Sequence, residues 1–122
     1  QFAINDWWMS DYTAFFYTEN STITIECLQD SLVYRISRTD LKALYKEVPL
    51  VETFFREKLE KAYANFQRRI LSANTQNTQE RYLDFVQRYP GIVENVKNYH
   101  IASYLGVTTE TLSRIRKEIT QG

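Results

Sequence analysis

The stretch Tyr99-His-Ile-Ala-Ser-Tyr-Leu-Gly-Val-Thr-Thr-Glu-Thr-Leu-Ser-Arg-Ile-Arg-Lys117 decides how the rest of this 122-residue chain is read. Ile101 and Leu105 stand four apart, on one face of a first short helix, and Leu112, Ile115 and Ile119 continue that spacing on a second. Gly106 suits a left-handed C-terminal cap, a conformation that a Cβ makes costly, and Val107 can drop its side chain into the angle between the helices. Ala102 is small where two helix backbones must cross closely. Thr108 is a good N-cap for the second helix, and Glu110 lies in its first turn, where the helix dipole favours negative charge. Two short helices joined this way form a helix-turn-helix.

On a helix that starts after Thr108, residues Thr109, Glu110, Ser113, Arg114 and Lys117 share the face opposite Leu112 and Ile115. An arginine there can reach guanine O6 and N7 with two hydrogen bonds, and a glutamate can accept from cytosine N4, so this face can read a major groove. The competing reading is that Glu110 and Arg114, four residues apart, only form a surface ion pair. With the flanking Thr108 and Thr111, the candidate DNA-binding set is Thr108, Thr109, Glu110, Thr111, Ser113, Arg114 and Lys117.

The stretch from Ile101 to Ile115 closely resembles the DNA-binding end of the Crp/Fnr family of bacterial transcription regulators. The resemblance implies an α+β fold: part of a cyclic-nucleotide-binding-like β-roll, then a long dimerisation helix, then a reduced winged helix-turn-helix. It implies a cytoplasmic homodimer that binds double-stranded DNA, works with RNA polymerase at promoters, and carries no catalytic residue, cofactor or metal. The family's base-reading positions fall on Thr109, Glu110 and Arg114. Thr109 stands where many members have arginine, which implies a changed preference at one base pair. On this resemblance the β-roll part occupies residues 1–48, the dimerisation helix 49–73 and the DNA-binding domain 74–122, and the first half of the roll would precede Gln1. Residues from about Asp11 to Leu28 correspond to the family's phosphate-binding cassette and the strand that follows. A gapless alignment puts Asp11-Tyr12 at the cassette's Gly-Glu pair and Ser21 at its Arg, and none of the three matches. The expected regulator is therefore not gated by cyclic AMP, and any effector is more apolar.

Charge agrees with this division. The chain is formally neutral, but residues 1–60 carry 6 Lys/Arg against 10 Asp/Glu, a balance of −4, and residues 61–122 carry 9 against 5, a balance of +4. The basic half holds the helix-turn-helix. The single cysteine, Cys27, cannot form an internal disulfide, which fits a reducing cytoplasm. No apolar run approaches the ~18 residues of a membrane span, and no signal peptide is evident.

Toward the N-terminus, Trp7, Trp8, Tyr12, Phe15 and Phe16 make a dense aromatic segment, read as core or interface, or as an effector pocket lined by these rings. Residues 22–28 alternate, with Ile23, Ile25 and Cys27 on one face, and Leu32, Tyr34 and Ile36 alternate again after Gln29-Asp30-Ser31. That pattern predicts two antiparallel strands joined by a turn. Arg35 and Arg38 are the nearest substitutes for the missing cassette arginine, and neither is expected to aim at it. Ser37 or Thr39 can cap a helix to about Glu47, which Pro49 ends.

From Pro49 the series Val51, Phe55, Leu59, Ala62, Phe66, Ile70, Ala73 steps by three and four, close to a coiled-coil seam. A helix of ~24 residues is ~36 Å long. Either it packs wholly on its own domain or it pairs with a second copy through Phe55, Leu59, Ala62, Phe66 and Ile70, as the family's helix does. The polar run 72–79 is expected to be the hinge, and Asn77 with Glu80 to form a capping box for a helix whose apolar face holds Tyr82, Leu83, Phe85, Val86 and Tyr89. His100, the lone histidine, has no Cys or acidic cluster at metal-ligand spacing, and three glycines cannot build a phosphate loop, so catalysis finds little support. The alternative function is a protein-interaction module that uses the helix-turn-helix as scaffold and the aromatic segment as docking surface.

Overall fold

Helix starts follow the capping side chains. Ser37 accepts from the Asp40 backbone N–H at 3.0 Å and opens helix α2 (Arg38–Glu47); a six-residue helix, α1 (Tyr12–Tyr17), precedes it. Pro49, which lacks only an N–H that a first turn leaves unpaired, opens α3 (Pro49–Thr75). Asn77 and Glu80 close the expected capping box at the start of α4 (Thr78–Arg88), with bonds of 2.8 and 2.9 Å. Then come α5 (Ile92–Asn95), α6 (Asn98–Leu105) and α7 (Thr109–Gln121). These elements are seen in a computed structural model that describes residues 1–17 and 19–121. Thr18, in the expected sensor part, and Gly122, the last residue of the expected DNA-binding domain, lie outside the described residues.

Among the described residues there is no strand, so the fold is all-α and not α+β; no part of a β-roll is formed. Residues 22–28 and 32–36 are irregular, and no backbone hydrogen bond joins them. Ile23 and Ile25 are 52% and 55% exposed, and Leu32 and Tyr34 are 85% and 87% exposed. Alternation marks which side of a segment is apolar, but a strand also needs a neighbour to bond and a layer to cover its apolar side. A lone two-stranded ribbon is marginal in water. Neither requirement is met here. The C-terminal part is likewise without strands among the described residues, and the short α5 connects α4 to α6. The polar run 72–79 is mostly helical: α3 continues to Thr75 and α4 begins at Thr78.

The chain divides into two compact units, residues 5–65 and residues 1–4 with 66–122. In the first, Trp8 meets the Phe55 ring edge-on at 4.6 Å, Tyr45 and Phe54 also contact Phe55, and Leu41 is buried. In the second, Tyr82, Phe85, Tyr89, Ile92, Ile101, Ala102, Leu105, Leu112 and Ile115 form one core. Phe2 packs on the rings of Phe85, Tyr89 and Tyr104. Leu83, expected on the inner face of α4, is 47% exposed.

Candidate nucleic-acid interface

The motif is assembled by its caps. Gly106 has φ 71° and ψ 36°, and behind it the Val107 N–H reaches back to the Ala102 carbonyl at 3.0 Å, closing α6 with a left-handed turn. The Thr108 hydroxyl accepts the Thr111 N–H at 3.2 Å and so starts α7. Ile101 and Leu112 are fully buried against each other's helices, and Val107 and Ile119 pack at the margin of the same core.

Thr109, Glu110, Ser113, Arg114 and Lys117 are all exposed and together line one shallow depression on α7. Thr111 is half-buried, and its hydroxyl accepts from that of Thr108, so these two threonines serve the cap. Glu110 does not pair with Arg114. Its own backbone N–H and then the Thr108 hydroxyl, with a smaller share from Thr109, hold its carboxyl below the usual carboxylate range. Arg114 stands 4.0 Å from Glu118, a loose exposed pair that leaves the guanidinium available.

Arg116 was not singled out by the sequence reading, and it fixes the pitch of α7. Its Nε donates to the Tyr82 hydroxyl at 3.0 Å and its guanidinium to Asn98 Oδ1 at 2.6 Å, tying α7 to α4 and to the start of α6. His100 lies beside the Tyr99 ring, and among the described residues no group of His, Cys, Asp or Glu is arranged to hold a metal.

The remaining expected sites lie elsewhere. Along α3, Phe55 and Leu59 are half-buried, whereas Ala62, Phe66 and Ile70 are exposed. In the aromatic segment Tyr12 stacks on Phe16, Phe15 meets Phe16 edge-on, and Trp7 and Trp8 are each 41% exposed. The Arg38 guanidinium lies against this segment, 5.8 and 5.1 Å from the Phe15 and Phe16 ring centres. At the expected cassette, the Asp11 carboxylate accepts from the N–H groups of Thr22 and Ala14 and from the hydroxyls of Ser21 and Thr22. Those bonds, the Thr22 and Ala14 N–H groups foremost, hold its carboxyl low.

No helix among the described residues is long and apolar enough to cross a membrane. No family profile, curated protein or solved structure matches the chain.

Proposed function

We propose that the chain is a sequence-specific DNA-binding regulator that presents the outer face of α7 to the major groove and acts as a homodimer through α3. The observation that carries this reading is the combination on α7 of a rigid inner face and an open outer one. Leu112 and Ile115 are locked in the core, while Thr109, Glu110, Ser113, Arg114 and Lys117 stand free on the other side. Base reading needs donors and acceptors on an element whose register is fixed. Charge favours the same end: residues 1–4 with 66–122 carry 8 Lys/Arg against 5 Asp/Glu, and residues 5–65 carry 7 against 10. The exposed Ala62, Phe66 and Ile70 support pairing with a second copy, for which a two-fold operator is the counterpart.

Cyclic AMP does not gate this regulator. The Asp11 carboxylate already takes the N–H and hydroxyl donors of its loop, so a cyclic phosphate entering there meets a fixed negative charge. The test is selection of bound duplexes from a random pool by the full chain, followed by titration of the recovered sequence at several salt concentrations with and without cyclic AMP. The expected result is a palindrome whose log affinity falls by about 0.9 per released phosphate counterion per decade of salt, unchanged by the nucleotide. Failure to bind any duplex at low salt overturns the reading and leaves the helix-turn-helix as the scaffold of a protein-interaction module.

A further inference from the structure

Three arginines border one cleft where α3 ends and α6 closes. Arg69 of α3 and Arg81 and Arg88 of α4 line one cleft of about 370 Å³ with Ser72, Asp84 and Tyr104. Among the described residues no ion pair involves these three arginines. Asp84, three residues after Arg81 and four before Arg88, accepts instead from the Gln76 amide at 2.9 Å, and among the described residues no ion pair joins it to either arginine. Arg69 lies flat over the Tyr104 ring at 4.1 Å and donates to the Tyr104 carbonyl at 3.3 Å, which leaves other N–H groups of its fork unspent. Arg81 reaches only the Thr78 hydroxyl, at 3.4 Å, and its Nε is buried with no acceptor among the described residues.

A buried N–H without an acceptor bears its desolvation cost uncompensated, and three like charges in one cleft repel one another. A single anion seated among them relieves the repulsion between the guanidiniums. We propose that this cleft is a binding site for the phosphate group of a small molecule. A tetrahedral dianion offers enough oxygens for several guanidinium forks at once, which a monocarboxylate does not. The cleft is recessed between helices and walled by Phe85 and Leu105, a shape that admits a compact ligand more readily than the backbone of a duplex. The proposal stands on the geometry of these residues and does not depend on DNA binding by α7.

The experiment is calorimetric titration of the full chain with inorganic phosphate above neutral pH, at an ionic strength held constant with sodium chloride. Proton–nitrogen spectra of the arginine Nε groups are recorded in parallel. The expected result is saturable binding with a shift of the Arg81 Nε–H resonance. Arg81→Gln and Arg88→Gln each weaken it by about tenfold or more, while Arg114→Gln and Lys117→Gln, outside the cleft, leave it unchanged. If Arg81→Gln fails to fold, Arg88→Gln decides. Heat that does not saturate, or that falls equally in Arg114→Gln, overturns the proposal. So does a duplex without free phosphate that moves the Arg81 signal as strongly, because the cleft would then hold the nucleic-acid backbone.

Discussion

Arg114 and Arg116 sit two positions apart on α7 and have opposite work. Arg114 is exposed and only loosely paired with Glu118, so Arg114→Ala is expected to change stability by less than about 0.5 kcal/mol. On the proposed reading its cost is expected on DNA: about 1 to 3 kcal/mol, confined to one base pair per half-site, in competition binding with operator variants. Equal weakening on all sequences would make it a phosphate contact. Arg116→Ala removes the braces to Tyr82 and Asn98 and is expected to lower unfolding stability by about 1 to 3 kcal/mol in urea, with affinity for every sequence reduced alike. Unchanged stability would show that the braces contribute nothing. The exposure of Arg114 was legible in the helical period, but the role of Arg116 was not, because Tyr82 lies 34 residues earlier and only the packed core brings it near. Tyr89 gives a pH signature. Burial first, and a hydrogen bond with Tyr104 second, push its hydroxyl far above the usual tyrosine range. The folded state therefore keeps a proton that the unfolded chain releases near pH ~10, so this contribution is whole below ~10 and is lost as pH rises beyond it, at up to ~1.4 kcal/mol per pH unit. Urea titrations at rising pH should show that loss, and Tyr89→Phe should flatten it; an equal slope in both proteins would place the alkaline transition elsewhere.

Elements were legible where their signals are local. Asn77 with Glu80, Thr108 and Gly106 each close a helix end through bonds spanning at most five residues, so composition and spacing suffice to place them. Residues 22–28 and 32–36 are not strands for the converse reason: their alternation is local, but the layer that would cover such a ribbon is not, and among the described residues no sheet is present to join it. On α3 the three-and-four spacing describes a stripe without saying what covers it. Phe55 is covered by Trp8 and Tyr45, whereas Phe66, 59% exposed, is not. Phe66→Asp should therefore leave the helical circular dichroism intact and, by setting two carboxylates against each other across the proposed two-fold seam, shift sedimentation equilibrium to the monomer. A dimer that persists would remove α3 from the interface.

For the whole molecule, the charge split read from sequence halves reappears as a basic unit and an acidic unit, a difference that makes the basic unit the more attractive to a polyanion at low salt. What composition could not show is that Phe2, at one end of the chain, belongs with a core more than 80 positions away in Tyr89. The uncovered segment Thr22-Ile-Thr-Ile-Glu-Cys27 has a consequence for how the protein ages. It is rich in β-branched residues, holds one charge, contains neither proline nor glycine, and leaves its backbone outside any helix. Such a segment is a template for stacking into cross-β fibrils. On prolonged incubation at high concentration, thioflavin-positive fibrils should seed from it, and Ile25→Lys, placing a gatekeeper charge in its middle, should lengthen the lag without altering helix content. A lag indifferent to that lysine would move the nucleus to another part of the chain.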